Sequence, residues 1–397
     1  MRIIFPRVET LRFHESYDGG AKYIDYLSQY LVKEGIDVTI ITTKTKNKEL
    51  KEKYENGVKY VFLPPKYKDR RGIKINMPYK LLFSYQLKRY LEKEDFDVLH
   101  NTEMFAYFYL HKKSRNPVIT QSFGLEPFYG PETLAQKGLR KLYVKLFLQI
   151  PWLFCLKESE KVLSEGEFQK GDLEKIGINQ SKIFPLPNGI YLEGIEKMRK
   201  GRKDKKKELG MGKRDLLVLN VNQISEDKRV EDVVEAFSLI KKDFKKAKLV
   251  IIGKGPLEDK IKHMIKSLNL EDSVIMLKNI PEKDLYDYYF SSDIFVNASI
   301  QKDFIMSIQE AMACGLPIVS SNQPFLVEEG VNGFVVGPKN PRGIAEAVLK
   351  IYRGKKRNKM GKESKKMAKQ YDYRNIVKIA IKEYKKLRDP GNGFRGP

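Results

Sequence analysis

One stretch of the chain, Ser299 to Asn322, combines a helix start suited to an anion with a carboxylate on the same helix. An apolar strand pattern precedes it. The helix is expected to stop at Gly315, which tolerates a positive φ, because Pro317 cannot continue it. The first N–H groups of a helix lack intrahelical acceptors and carry partial positive charge, so they could bind a phosphate or diphosphate. Glu310 lies further along. The residues expected near the helix start are Phe304, Ile305, Met306 and Ser307.

A second candidate for anion binding is the pair Gly19-Gly20, at the entrance to a helical pattern from Ala21 to Glu34. The pair follows a predicted strand from Arg2 to Phe5, and another strand, Asp37 to Thr42, comes after the helix. Adjacent glycines let the backbone approach a ligand closely, which favours a phosphate at this position. A plain tight turn would use Gly-Gly equally well, so both interpretations stay open.

The elements that position these residues alternate between strand and helix along the chain. Apolar strand patterns recur from Arg2 to Phe5 near the start to Phe334 to Val336 near the end, with helical patterns between most of them. This order predicts parallel sheets whose faces are covered by helices. Because 397 residues are too many for one ordinary core, two such α/β domains are expected.

Residues 310–319, Glu-Ala-Met-Ala-Cys-Gly-Leu-Pro-Ile-Val, resemble the donor-site helix of the retaining glycosyltransferases of family 4. That family includes glycogen-synthase-like enzymes, sucrose-phosphate synthases and bacterial phosphatidylinositol mannosyltransferases. Pro187-Asn188-Gly189 resembles the family's Ile-Pro-Asn-Gly-Val-Asp, and Gly253-Lys254-Gly255 resembles its Gly-x-Gly turn. The resemblance covers nearly the whole chain and is densest in the second half.

The resemblance implies the GT-B fold, in which two Rossmann-like, doubly wound domains face a cleft and the C-terminal helix crosses back to the first. The expected domains are an acceptor-side lobe at 1–188, a nucleotide-sugar-binding lobe at 189–372, and the returning helix at 373–397. The segment from Gly189 to Arg214 is polar and strongly basic. We interpret it as the exposed connection between the lobes.

By the same resemblance, Glu310 accepts hydrogen bonds from the ribose hydroxyls of a donor nucleotide, and Lys228 holds its diphosphate. Gly253 and Gly255 belong to the donor-binding turn. Gln223 stands where the family has an Arg that also holds the diphosphate. With Gly19, Gly20 and residues 304–307, these form the predicted donor-binding set.

Three positions depart together from the family pattern. Lys302 replaces the first acid of a Glu-x7-Glu pair, and Phe123, or Ser122 in another alignment, stands where Thr-x-His-Gly has its His. The third is Gln223. Lys302 could bind a diphosphate or an acidic sugar, or it could point away, and Asp303 could supply the missing carboxylate if the loop shifts. Lys302, Asp303 and Lys228 are therefore the candidate catalytic residues.

The resemblance implies an enzyme that moves a sugar, expected to be a hexose, from a nucleotide-diphosphate sugar to a hydroxyl acceptor with retention. Surface glycan or glycolipid synthesis is the expected setting. Lys228 and the helix N-termini could stabilise the leaving diphosphate, so neither a metal nor a cofactor is expected to be needed. The alternative is a non-catalytic sugar-nucleotide- or glycan-binding protein that partners an active transferase.

The formal charge of +24 indicates attraction to anions, or a lysine-rich solvated surface of the kind that thermophile proteins favour. No recognised nucleic-acid module accompanies it, so nucleic acid is not the expected partner. Lys137 to Leu156 mixes cations with aromatic and aliphatic residues. Such a helix could lie on an anionic membrane and bring a lipid-linked acceptor close, or it could be an ordinary core helix.

The N-terminal apolar run is too short for a signal peptide, and no run reaches the roughly 18 apolar residues of a spanning helix. A cytoplasmic location is expected, with peripheral contact to the inner face of the cell membrane as a further hypothesis. The two cysteines, Cys155 and Cys314, match no metal or redox spacing and are expected to be buried thiols.

Overall fold

The computed structural model describes residues 1–14, 19–44, 50–66, 77–112, 115–123, 128, 137–300 and 305–389. The chain divides into two compact units, which we call the first and the second unit. The first contains Met1–Gly189 and Tyr373–Pro397, and the second contains Ile190–Asp372.

The first unit is built on a sheet of eight strands. They are β1 (Arg2–Pro6), β2 (Asp37–Lys44), β3 (Glu52–Glu55), β4 (Val58–Lys66), β5 (Val98–Thr102), β6 (Val118–Gln121), β7 (Lys161–Ser164) and β8 (Ile183–Pro185). Their order is β3-β4-β2-β1-β5-β6-β7-β8. The neighbouring pairs are parallel except for β3, which pairs with β4 as an antiparallel hairpin that the sequence patterns did not predict.

The central strands carry continuous apolar runs because helices cover both faces of the sheet. Ile3, Ile4 and Phe5 of β1 are fully buried. The helices that precede the second unit are α1 (Leu11–His14), α2 (Gly19–Lys33), α3 (Met77–Leu91), α4 (Tyr107–Leu110), α5 (Gly138–Val144), α6 (Ile150–Glu158) and α7 (Glu167–Lys175).

A π turn, Lys145–Gln149, joins α5 to α6, so the expected helix from Lys137 to Leu156 is one run with a local widening. Pro151 lies in the first turn of α6. Because proline cannot donate a backbone hydrogen bond, it is tolerated next to such an irregular turn. Cys155 of α6 is fully buried, as predicted for a thiol without a ligand role.

The second unit is built on a six-stranded sheet whose described pairs are all parallel. The strands are β9 (Leu217–Val221), β10 (Lys248–Ile252), β11 (Val274–Leu277), β12 (Ile294–Asn297), β13 (Ile318–Ser321) and β14 (Gly333–Val336). Their order is β11-β10-β9-β12-β13-β14. The helices are α8 (Leu192–Lys200), α9 (Lys205–Glu208), α10 (Val230–Asp243), α11 (Glu258–Ser267), α12 (Glu282–Ser291), α13 (Met306–Cys314), α14 (Pro341–Arg353) and α15 (Arg357–Ala368).

The interpretation of Gly189 to Arg214 as an exposed connection is wrong. From Ile190 on, the segment belongs to the second unit, and it contains α8 and α9. Lys206 is buried, and its Nζ atom lies 2.6 Å from Oδ2 of the buried Asp293. A lysine has a long aliphatic stem that can pack inside a fold, and the local sequence does not show that a carboxylate distant in sequence will receive its ammonium group.

The last helix, α16 (Tyr373–Arg388), packs within the first unit, which confirms the predicted return of the C-terminal helix. The Tyr373 ring stacks on Tyr30, with 5.7 Å between the ring centroids. Further along, the Tyr384 hydroxyl and the His100 Nδ1 atom share a hydrogen bond of 2.6 Å. These contacts anchor the helix at both ends.

Within the described parts of the chain, no helix combines the length and the apolar character that crossing a bilayer requires.

Candidate functional site

The candidate site of the second unit lies at the carboxyl ends of β9, β10 and β12. The chain runs from β9 outward through β10 to β11, whereas β12, β13 and β14 extend the sheet on the other side of β9. The loops after β9 and β12 therefore leave the sheet in different directions. Ligands of open parallel sheets bind at such a switch point.

Backbone hydrogen bonds hold three loops together at this edge. The Asn222 N–H donates to the Ile252 carbonyl (3.1 Å), and the Ile224 N–H donates to the Lys254 carbonyl (3.0 Å). The Ile300 N–H donates to the Asp227 carbonyl (3.0 Å), which ties the loop after β12 to the loop after β9. The segments that the sequence singled out separately are thus neighbours.

The two glycines after β10 permit this close packing. A Cβ atom on Gly253 would lie 1.8 Å from the Asn222 carbonyl oxygen, and one on Gly255 would lie 2.2 Å from the Ile224 carbonyl oxygen. Both distances are far inside van der Waals contact, so only glycine fits at either position. The glycines are therefore required for the loop after β10 to rest on the loop after β9.

Lys228 is half-buried at the end of the 3-10 turn Glu226–Lys228, with its Nζ atom 3.1 Å from Asp227 Oδ2. The Ser225 hydroxyl donates to Oδ1 of the same carboxylate. Burial alone would raise the pKa of Asp227, but Lys228 and Ser225 outweigh it and hold that pKa below its ordinary value. Gln223, in the same loop, is exposed.

The helix α13 begins at Met306, after Ile305 in an extended conformation, and ends at Gly315 with φ of 85°. The Ile305 carbonyl accepts from the Ile308 N–H (3.0 Å), so Met306 and Ser307 supply the first amides of the helix. The predicted helix start and its glycine stop therefore agree with the structure. Lys302, Asp303 and Phe304 lie outside the described residues.

Glu310 occupies the second turn of α13 and is only 7% exposed. The hydroxyl of Tyr289, on α12, donates to Glu310 Oε2 (3.0 Å). Burial, together with the Glu310 carboxylate, raises the pKa of Tyr289 well above its ordinary value, so the tyrosine stays a neutral donor. Tyr289 was missed by sequence reasoning, because an aromatic residue in an amphipathic helix looks like a core residue.

The first unit, considered by itself, has a second charged cluster at its own switch point between β1 and β5. Gly19 and Gly20 open α2, and a Cβ atom on Gly20 would lie 2.9 Å from the Arg7 guanidinium. Arg7 lies 3.4 Å from the Glu103 carboxylate, which Lys80 also contacts. This network was not predicted, although a charged residue directly after an apolar strand is a usable signal.

Phe123 occupies an aromatic environment. Its ring makes an edge contact with Tyr23 at 5.2 Å between centroids. Two histidines of this unit lie elsewhere, His100 fully buried and His14 half-buried: burial lowers the pKa of His14 to about 4 and that of His100 to about 3. Both imidazoles are therefore neutral near pH 7, and neither stands at the position of Phe123.

A metal centre is not evident in the part of the chain that the structure describes, where no group of three or more His, Cys, Asp or Glu side chains could hold an ion.

Both halves of the chain match family models. Residues 17–193 match the model described as Glycosyltransferase Family 4, and residues 201–367 match the model described as Glycosyl transferases group 1.

Two curated relatives illustrate the similarity. The alpha-monoglucosyldiacylglycerol synthase of Streptococcus pneumoniae is 25% identical over 241 residues, which are 58% of this chain and 53% of that protein. The N-acetyl-alpha-D-glucosaminyl L-malate synthase of Bacillus anthracis is 27% identical over 196 residues, 47% of this chain and 50% of that protein. The chain spans about half the length of the curated relatives it matches.

Solved structures share the whole fold. The sucrose-phosphate synthase of Thermosynechococcus elongatus superimposes with a TM-score of 0.79 at 19% identity, covering 97% of this chain and 98% of that one. HepE of Anabaena, crystallised with UDP-glucose, superimposes with a TM-score of 0.71 at 14% identity, covering 97% and 99%. The α/β fold of two Rossmann-like units is thereby confirmed. With both halves matched and the fold shared, the chain belongs to glycosyltransferase family 4.

Proposed function

We propose that this chain transfers a sugar from a nucleoside-diphosphate sugar to a hydroxyl acceptor with retention of configuration. The observation that carries the proposal is the arrangement in the second unit, where the start of α13, the buried Glu310 and the turn with Lys228 adjoin one sheet edge. These groups suit a ligand with hydroxyls and a diphosphate.

Each group has a chemical role in the proposed reaction. Breaking the bond between the anomeric carbon and the diphosphate places charge on the leaving oxygens, and fixed positive groups stabilise that charge. Lys228 and the amides of Met306 and Ser307 are the candidates. Glu310 would accept hydrogen bonds from the ribose, with Tyr289 holding one of its oxygens in place. Neither a metal nor a cofactor is required in this scheme.

The names of similar proteins support a particular class of donor and of acceptor. HepE was crystallised with UDP-glucose, and the pneumococcal relative is named as a synthase of a glucosylated diacylglycerol. Together they support a UDP-hexose donor and an acceptor hydroxyl on a lipid or a lipid-linked glycan. Surface glycan or glycolipid synthesis is the setting that we propose.

Calorimetric titration with UDP-, GDP-, ADP- and dTDP-sugars tests the proposal directly. We expect saturable binding of one donor class, UDP-hexose first, followed by slow donor hydrolysis because water replaces the acceptor. Binding without hydrolysis, and without transfer to diacylglycerol or glycan hydroxyls, would favour the non-catalytic alternative. If none of the four donor classes binds, the donor site is assigned wrongly.

An amphipathic surface on the first unit supports the proposed lipid acceptor. Four large apolar side chains of the run from α5 to α6 are exposed: Leu139 (86%), Leu142 (51%), Leu146 (47%) and Ile150 (43%). They recur every three or four residues, and the exposed Lys137, Lys141 and Lys145 are interspersed. The second half of the run is core, because Cys155 and Leu156 are fully buried. An amphipathic surface of this kind binds the interface of an anionic bilayer.

Replacing Leu139, Leu142 and Leu146 together by glutamine should weaken binding to phosphatidylglycerol vesicles by about tenfold or more, because the full insertion of even one leucine contributes about 1.5–3 kcal/mol. Vesicle co-sedimentation measures the change. The control replaces Leu268 and Ile379, two exposed apolar residues outside the run from α5 to α6, by glutamine. Equal binding by the wild type and the triple variant would remove the membrane role.

A further inference from the structure

A concave surface lies at the end of the second unit's sheet opposite to the candidate donor site. It is a cavity of about 860 Å³ near the amino ends of β12 and β13, since Asp293 directly precedes β12 and Leu316 shortly precedes β13. The candidate donor site uses the carboxyl ends of the same sheet. We call this cavity the distal pocket, and its walls come from residues 199–213, 290–293, 314–316 and 357–365.

The distal pocket is strongly basic. Its lining includes two carboxylates, Asp204 and Asp293, against nine cations. The cations are Arg199, Lys200, Arg202, Lys203, Lys206, Lys213, Arg357, Lys362 and Lys365. Asp293 is only 1% exposed and is already paired with Lys206 and Arg357. Asp204 caps the start of α9, where its side chain accepts from the Lys207 N–H.

Among the described residues, most of the exposed cations of the pocket have no carboxylate partner. Arg199 and Lys365 share Glu196, a residue next to the pocket. No described Asp or Glu lies within ion-pair distance of the remaining cations, which are Lys200, Arg202, Lys203, Lys213 and Lys362. Like charges collected in a concave surface repel one another, and a bound anion would relieve that repulsion.

The walls of the pocket are held by specific contacts. The Arg199 guanidinium donates to the Cys314 carbonyl (2.9 Å) and lies over the Phe290 ring at 4.5 Å. A Cβ atom on Gly361 would lie 2.1 Å from the Gly315 carbonyl oxygen, so α15 meets the end of α13 backbone to backbone. The concave shape is therefore a packed part of the fold.

Two helix ends lie at the pocket. The carbonyls at the end of α13 would repel an anion, but Arg199 covers them. The 12-residue helix α15 begins at the pocket with Arg357, and no side chain caps its first amides. Burial, and to a smaller extent the neighbouring Arg357, lower the pKa of Lys206.

We propose that the distal pocket binds a free anion carrying several phosphate groups, such as a diphosphate or triphosphate chain. A single negative charge would leave most of the unpaired cations unmatched. A concave site of this volume accommodates a small ligand, whereas a flat bilayer or a rigid duplex would meet only its rim. Phosphate oxygens suit a mixed set of arginine and lysine donors. The proposal is independent of the sugar-transfer activity.

Calorimetric titration of the full chain with sodium tripolyphosphate, at constant ionic strength, tests this site. We expect saturable binding, and a rise in the unfolding temperature on ligand addition. The triple variant Lys203→Gln, Lys213→Gln and Lys362→Gln should bind at least about tenfold more weakly, because it removes three charge-assisted contacts. All three lysines are exposed, so the variant should fold like the wild type.

The matched control is Lys242→Gln, Lys245→Gln and Lys246→Gln, which removes the same charge from exposed lysines outside the pocket. Its tripolyphosphate affinity should change by less than about twofold. Equal weakening in both variants would assign the binding to general surface charge and overturn the proposal. Absence of tripolyphosphate binding to the wild type would also overturn it, as would binding to phosphatidylglycerol vesicles alone.

Discussion

Replacing Glu310 by alanine is expected to weaken binding of the donor nucleotide-sugar by about ten- to a hundredfold. The carboxylate is buried near the start of α13, and in the proposed function it accepts hydrogen bonds from the ribose hydroxyls. Losing a charged hydrogen-bond partner costs about 1.5–3 kcal/mol, which corresponds to that range. Lys228 and the helix amides would still hold the diphosphate, so binding should be weakened and not abolished.

Titration calorimetry with the donor found for the wild type measures the effect. Glu310→Gln separates charge from shape, because it keeps the side-chain length while removing the negative charge, and should give an intermediate loss. Tyr289→Phe removes only the bond that orients the carboxylate, so a smaller loss is expected. The control is Glu346→Ala, since Glu346 is an exposed helix carboxylate paired with Arg342. Unchanged donor affinity in Glu310→Ala would show that α13 does not bind the nucleotide.

Replacing Gly253 by alanine should damage both the stability of the second unit and its donor site. The new Cβ atom would lie 1.8 Å from the Asn222 carbonyl oxygen. The position of the Cβ atom is fixed by the main chain, and the carbonyl belongs to the main chain. Neither can rotate away, so one of the two loops must move. We expect a loss of about 3 kcal/mol or more in the free energy of unfolding, at the upper end for overpacked sites. Donor affinity should fall by at least about a hundredfold, because both loops belong to the candidate donor site and one of them carries Lys228.

Urea unfolding and donor titration together measure this prediction. Gly337→Ala is the matched control in the same unit, because a Cβ atom there would meet nothing within 4 Å. Its unfolding free energy should change by less than about 0.5 kcal/mol. A Gly253→Ala protein with wild-type stability and donor affinity would contradict the steric argument.

Much of the framework followed from local patterns in the sequence. The stop of α13 was predictable because helices commonly end at a residue that accepts a positive φ, and Gly315 is such a residue. Short apolar runs in the sequence predict buried parallel strands, as in β1 and β10. These signals depend on neighbours in sequence, so a single chain displays them.

The contacts that complete the candidate site were not predictable in the same way. The partner of Glu310 is Tyr289, which lies 21 residues earlier on another helix. The hairpin strand β3, Glu-Lys-Tyr-Glu, is mostly exposed and three of its four residues are charged, so it lacks an apolar pattern. The sequence of the basic segment before β9 is typical of a linker. The structure shows that Lys206 of this segment pairs with the buried Asp293, which is distant in sequence.

By itself, the sequence determined the alternation of strands and helices, the two-domain organisation, the glycine positions and the family resemblance, because each rests on residue types at short spacing. Only the tertiary structure decided which loops meet at the carboxyl edge of the second sheet, what orients Glu310, and that scattered lysines line one distal pocket. Those outcomes depend on how distant segments pack, and the free energy of such packing is shared among residues that no local pattern connects.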